Sequence, residues 1–215
     1  MDESIDLKKS IKEFLNDTTI MNSDSIYNEF SLQFELGFFL REHLKGCRVQ
    51  FEKNVEEFGA DKQNFIKKEM DLVVLDEKKS KKYAIELKFP TNGFYKKRMY
   101  HFVKDIQFME QVKGCSETKG KLDFDKTYCL TIISDSKKGK GFRDGKSVDQ
   151  TIAKYFIDPK ESDKKNEEIH GKIPNEDSCY DIAGRYSVEW KPIGSTDFHY
   201  YLIEIPDDSK IKIKL

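Results

Sequence analysis

The spacing of apolar positions changes along the chain, and each change marks an element. In "YAIELKFP", residues 83–90, Tyr83, Ile85, Leu87 and Phe89 alternate with Ala84, Glu86 and Lys88, and a period of two predicts a strand. The same reasoning predicts strands over 48–55, 70–75 and 127–134. A short helix is predicted over 5–15, and a longer one over 26–44, with Asp24 or Ser25 as its cap and Gly46 past its end. The longer segment, "YNEFSLQFELGFFLREHL", is apolar around much of its circumference and belongs in the core. A further helix is predicted over 97–112, so the central order is helix, three strands, helix, strand.

Beyond residue 134 the pattern loosens. "SDSKKGKGFRDGKS" reads as a charged, glycine-containing loop, followed by a helix over 148–156. Residues 158–178 are polar and read as an exposed insertion. Late strands are predicted over 186–191 and 199–205, and the final "PDDSKIKIKL" as an edge strand whose lysines discourage aggregation. The chain thus reads as a single α/β domain over 1–215: a helical extension over 1–24, a core over 25–135 and a β-rich elaboration over 136–215.

Composition narrows the partners. Of 215 residues, 37% are hydrophobic and 36% charged, yet sixteen Phe, ten Tyr and one Trp are too many for a disordered chain. With 38 basic against 39 acidic residues, no global field draws the protein to nucleic acid or an anionic membrane, so any such contact needs a local cluster. The amino terminus is acidic and polar, and no apolar run reaches membrane-spanning length. The expected compartment is the cytoplasm, with no membrane partner. Cys47, Cys115, Cys129 and Cys179 are scattered without zinc spacing, and are expected to be reduced and mostly buried. No P-loop or G-x-G-x-x-G occurs, and the four histidines never fall at metal-ligand spacing.

Candidate chemistry centres on one of four E-x-K tripeptides. Glu77 with Lys79 lies in a turn and Glu117 with Lys119 in a polar loop. Glu189 with Lys191 has no acid-bearing strand just before it. Glu86 with Lys88 does: "EMDLVVLD" precedes it, separated by "DEKKSK". A hairpin whose last pair is Leu75 with Lys82, its loop running over 76–81, would set Val73 against Ala84 and Asp71 against Glu86, with Lys88 on the same face.

Carboxylates so opposed have β-carbons about 5 Å apart, and at an effective dielectric constant of about 20 they repel by about 3 kcal/mol. A hard divalent cation removes that cost, and Mg²⁺ favours one or two carboxylates plus water and phosphate oxygens. A lysine beside them suits stabilisation of charge growing on phosphorus. On a solvated face the same three residues would instead form ordinary cross-strand ion pairs, and the pattern alone leaves both readings open.

Asp71, fourteen intervening residues and then Glu86-Leu87-Lys88 resemble the PD-(D/E)xK nuclease superfamily, with the restriction-endonuclease-like fold; the likeness covers roughly residues 26–134. Met70 stands where the motif has proline. The resemblance implies a Mg²⁺-dependent nuclease, with Mn²⁺ as a substitute, acting on DNA and able to work as a homodimer. It implies Asp71, Glu86 and the Leu87 carbonyl as metal ligands and Lys88 as the residue that positions or activates water. Glu35, in "FELGFFLREHL", is similar to the helix acid of the resolvase-like branch, and Glu29 is its competitor. In "TNGFYKKRMYHF", Lys96, Lys97 and Arg98 would meet phosphates, while Tyr95 or Tyr100 could stack on a base. Asp105, Gln107 and Gln111 are supporting polar candidates on the next helix. The alternatives are a catalytically inactive nucleic-acid- or protein-binding module on the same fold, or an interaction protein built on the aromatic carboxy-terminal half.

Overall fold

The computed structural model describes residues 5–21, 25–90, 95–114, 122–134, 150–160, 162, 165–175 and 179–206. The protein is a mixed α/β structure. In chain order its main elements are α1 (Leu7–Asn16), α2 (Thr18–Met21), α3 (Glu29–His43), β1 (Cys47–Asn54), β2 (Glu69–Asp76), β3 (Lys81–Lys88), α4 (Tyr95–Lys113), β4 (Lys126–Ser134), β5 (Ile169–Pro174), β6 (Cys179–Tyr186), β7 (Lys191–Pro192) and β8 (Phe198–Glu204). A single helical turn, Gln150–Ala153, lies between β4 and β5.

Six strands form one sheet in the order β1-β2-β3-β4-β8-β7, and β5 pairs with β6 apart from it. β1, β2 and β3 form an antiparallel meander. β3 and β4 run parallel because α4 carries the chain across between them. β8 returns antiparallel to β4. The sheet is therefore mixed, with both faces covered.

Alternation along β2 and β3 assigns the faces. Leu72, Val74, Ile85 and Leu87 pack into a core with α1 and α3, through Phe14, Leu32, Leu36 and Leu40. Val73 and Ala84 face the other way, into a core with α4, β6 and the carboxy-terminal Trp190 and Tyr201. Gly37 lets α3 approach β1 closely: a β-carbon there would stand 2.3 Å from the Phe51 ring, so a larger residue requires that ring to move.

Some boundaries differ from those predicted. α3 starts at Glu29, capped by Asn28, whose side chain accepts the Ser31 N–H while Ser31 returns a bond to the Asn28 backbone. The β2–β3 turn is shorter than predicted, because Asp76 pairs with Lys81. The polar insertion contains β5, which buries Ile169 and Ile173 against β6. Gly171 stands between those two isoleucines and masks their alternation. β6 lies mostly before the predicted 186–191 strand, although Tyr180, Ile182, Gly184 and Tyr186 carry a clear period of two. The predicted edge strand at the carboxy terminus, the charged loop after β4 and Cys115 lie outside the described residues. Cys47 is half-buried, Cys129 buried and Cys179 exposed, all as free thiols. Among the described residues no helix is long and apolar enough to cross a membrane.

Candidate active site at the ends of β2 and β3

The β2–β3 register brings two acids together. Val73 lies opposite Ala84 and Leu75 opposite Lys82, and the last ladder pair is Leu72 with Ile85. Asp71 and Glu86 follow one residue further along each strand, on the face turned toward α4. Here the Leu87 backbone N–H donates to Asp71 Oδ2 at 2.7 Å. Glu86 is almost fully buried, at 1% exposure, and Asp71 is half-buried.

Two lysines and two further acids close the group. Lys88 Nζ lies 3.1 Å from Glu29 Oε1 and 3.4 Å from Asp105 Oδ2. It also donates to the Leu87 carbonyl at 2.8 Å, the oxygen expected from the resemblance to serve as a metal ligand. Lys67, in the connection before β2, donates to Glu86 Oε2 and, at 2.9 Å, to Asp105 Oδ1. Its ammonium lies 5.4 Å from the centre of the Phe108 ring.

The electrostatics are those of crowded acids. Burial of its carboxyl pushes the Asp71 pKa up to about 6, against the opposing pull of Lys88 and Lys67. Burial, and then the Asp71 charge, raise Glu86 well above the usual carboxylate range. Burial alone would discharge Lys67, but Glu86 and Asp105 outweigh it and hold the ammonium above its ordinary value. Lys88 is raised in the same sense, with Asp105 as its strongest support.

Comparison with known proteins adds no assignment. No protein-family model, no curated protein and no solved structure matches this chain. The reading of the site therefore rests on its own chemistry.

The side chains present fit a hard divalent cation in their donor chemistry. Glu29, Asp71, Glu86 and Asp105 offer only oxygen ligands, and four carboxylates face two ammonium groups. Glu86 Oε1, fully buried, has no hydrogen-bond partner among the described residues, whereas Asp105 Oδ2, also without a hydrogen bond there, has the Lys88 ammonium 3.4 Å away. An orphaned carboxylate oxygen such as Glu86 Oε1 is costly unless an ion or water meets it. Among the described residues no three His, Cys, Asp or Glu side chains are grouped to hold a metal between them. The Lys67 ammonium, lodged between Glu86 and Asp105, supplies the positive charge there.

The α3 acid that reaches this cluster is Glu29. Its carboxylate takes both the Lys88 ammonium and the Phe89 N–H, the latter at 3.2 Å. Glu35 stands half-buried on α3 and makes none of these contacts. Six residues separate the two, so they lie about 9 Å apart along the axis and some 120° apart around it. Gln33, four residues after Glu29, shares its face. The Gln33 amide donates to the Asp71 carbonyl and to Glu52 Oε1, each at 2.6 Å. Glu52 is the β1 residue facing Asp71 in the register, and its φ of 51° takes it out of extended geometry. Non-glycine residues held there cost on the order of 1–3 kcal/mol; the Gln33 amide holds the Glu52 carboxylate at this irregularity in β1.

The remaining predicted residues divide. Asp105 joins the group directly. Gln111 instead binds the Ile66 N–H and the Asn64 carbonyl, at 3.0 and 3.2 Å, and so fixes the segment that delivers Lys67. Gln107 is buried, and among the described residues its Oε1 has no hydrogen-bond partner and it makes no hydrogen bond to the acids. Arg98 is half-buried in α4 and makes none of the cluster's ion pairs. The side chains of Tyr95, Lys96 and Lys97 lie outside what the structure describes. Sequence reasoning missed Lys67, a lysine among many. Glu29 and Gln33 did carry a signal, as two polar residues at i, i+4 beside the apolar row of Leu32, Leu36 and Leu40.

Proposed function

We propose that this protein is a metal-dependent nuclease that hydrolyses phosphodiester bonds in DNA, built on a restriction-endonuclease-like core. The observation that carries this reading is the convergence of Asp71, Glu86 and Lys88 on one face of adjacent strands, with a buried Glu86 oxygen left unpartnered. The order α3-β1-β2-β3-α4-β4 supports it, because it has the same α-β-β-β-α-β sequence of elements as the core expected for that fold. So does Glu29 at the start of α3, in the role of the helix acid.

Asp71 and Glu86 would hold Mg²⁺, or Mn²⁺ in its place. When bound, the metal would supply Lewis-acid polarisation of the phosphate and lower the pKa of a water. Lys88, kept charged by Asp105 and Glu29, is positioned to offset negative charge growing on the phosphate oxygens and to orient the attacking water. Glu29 holds the Lys88 ammonium and the Phe89 N–H together and so fixes the end of β3. Asp71 is held through both its main chain, by Gln33, and its side chain, by Leu87 N–H.

A catalytically silent nucleic-acid- or protein-binding module on the same core is the second reading. The observation favouring it is Lys67, which already satisfies part of the acid charge without a metal. Incubation with linear, nicked, branched and single-stranded DNA, with Mg²⁺ or Mn²⁺ and with chelator, separates the two. The nuclease cleaves at least one substrate only with metal, and Lys88→Ala abolishes cleavage. A binding module retains DNA or a protein equally well in chelator and cleaves nothing.

A further inference from the structure

The sheet carries a second group of polar side chains at the end away from the acids. β3 and β4 run parallel, so both begin there, and Lys82 lies six residues, about 20 Å, from Lys88 along β3. A recess of about 550 Å³ opens at these strand starts, between β3, β4, the end of α4 and the residue Ile5 before α1. That volume suits a small ligand. Apart from Ile5, Tyr83 and Phe124, the residues around it are charged or polar.

Charge sets the sign of the ligand. Four lysines, Lys81, Lys82, Lys113 and Lys126, face two acids, Asp123 and Asp125, in a chain that is nearly neutral as a whole. Asp125 is already engaged: its Oδ2 accepts the Lys82 backbone N–H at 2.8 Å, and its carbonyl accepts from Lys113 Nζ at 2.6 Å. Asp123 is exposed. Lys126 pairs with Glu204 at 3.1 Å. Lys81 and Lys82 are half-buried and form no ion pair among the described residues; the Lys82 ammonium lies only over the Phe124 ring, 5.3 Å from its centre.

Tyr83 adds an independent observation. It is 2% exposed, yet its hydroxyl has no hydrogen-bond partner among the described residues. Burial first, then the charges of Asp125 and Asp76, push its pKa up to about 12, so at neutral pH it keeps its proton and can donate. A buried phenol left without a partner is costly unless a ligand or water meets it.

We propose that this recess binds a small polyphosphate, a pyrophosphate or the phosphate chain of a nucleotide, with Lys81 and Lys82 as point charges and the Tyr83 hydroxyl as donor. A phosphate chain carries enough charge to meet both ammonium groups and accepts several hydrogen bonds at once, whereas a single carboxylate meets one. Walls with so little apolar surface disfavour a lipid or other hydrophobic ligand. The phosphates of DNA share this chemistry, but a recess suits a free or terminal group better than a continuous backbone. The site is separate from Asp71 and Glu86, so the inference stands whether or not those acids cleave DNA.

Isothermal titration of pyrophosphate into the full chain, in metal-free buffer at pH 8, tests it. Wild type takes up one equivalent. Lys81→Gln and Lys82→Gln combined weaken binding by at least about tenfold, and Tyr83→Phe by about tenfold. Lys88→Ala, at the other end of the sheet, leaves it unchanged. The lysine variant unfolds at the wild-type temperature without ligand, which separates lost binding from lost fold. Competition with a 5′-phosphorylated duplex identifies the source: displacement of pyrophosphate at matched phosphate concentration assigns the site to nucleic-acid phosphate, and no displacement assigns it to a free polyphosphate; either supports a phosphate site here. A wild type that takes up no pyrophosphate overturns the proposal, as does binding that the lysine variant and Tyr83→Phe leave unchanged. Binding lost in Lys88→Ala would place the anion at the acid cluster and also overturn it.

Discussion

The Leu87 backbone N–H donates to Asp71 Oδ2 across the end of the β2–β3 ladder, so a carboxylate stands where a main-chain carbonyl would otherwise be expected. That bond holds Asp71 beside Glu86 despite their mutual repulsion. Asp71→Asn removes the charge and can keep an acceptor there. The variant is expected to unfold at a higher temperature than wild type in chelator at pH 8 and to gain nothing from Mg²⁺. Raising the Asp71 pKa from 3.8 to about 6 corresponds to roughly 3 kcal/mol held against the ionised form, an upper bound on the gain. Thermal unfolding with and without Mg²⁺ measures it; a variant less stable than wild type in chelator would count against the crowding.

The same carboxyl predicts a pH dependence. Its folded pKa lies above its unfolded value, so below pH 4 the site carries no penalty, and stability falls as pH rises through about 6. Glu86, raised by burial, acts in the same direction. Stabilisation by Mg²⁺ should therefore be small at pH 5 and large at pH 8. Equal shifts in unfolding temperature at the two pH values would contradict this.

Lys67 is predicted to matter most without metal. Lys67→Met leaves Glu86 buried without its ammonium and Asp105 with Lys88 alone, a loss of up to about 3–5 kcal/mol by the measure of broken buried ion pairs. Chelated protein should show most of that loss in denaturant titration, and saturating Mg²⁺ should recover part of it. An unaltered midpoint in chelator would mean that Lys67 is not the resident counter-charge.

Glu29 and Glu35 make opposite predictions. Glu29→Gln weakens the hold on Lys88 and should reduce cleavage at least about tenfold, while Glu35→Gln should leave it within about twofold of wild type. Lys88→Ala should reduce cleavage by about 10²–10³ with metal affinity little changed. Rates on whichever DNA form is cut decide among them, and a stronger effect from Glu35→Gln would return the helix role to that residue.

Much of this was legible in the sequence because a period of two allows few registers. The pairing of Val73 with Ala84 and Leu75 with Lys82 follows from placing Leu72, Val74, Ile85 and Leu87 on one apolar face. The α/β order followed from the same patterns. What could not be read depends on contacts distant in sequence. Lys67 reaches Glu86 because Gln111, on α4, anchors the loop before it. Glu29 and not Glu35 faces Lys88 because Leu32, Leu36 and Leu40 turn their side of α3 onto the sheet, and Glu29 shares that side while Glu35 lies about 120° from Glu29 around the axis. On a helix apolar on nearly every side, the Glu29–Gln33 spacing was the one weak sign of which face meets the sheet, too weak to say that Phe30, Phe34 and Phe38 stay outside.

Isothermal titration of Mn²⁺ into the metal-free protein at pH 8 tests the central claim most directly. Wild type should bind the ion, Asp71→Ala and Glu86→Ala should lose at least about tenfold in affinity, and Lys88→Ala should bind nearly as wild type does. A wild type that takes up no Mn²⁺, or acid variants that bind it unchanged, would contradict a metal site at the ends of β2 and β3.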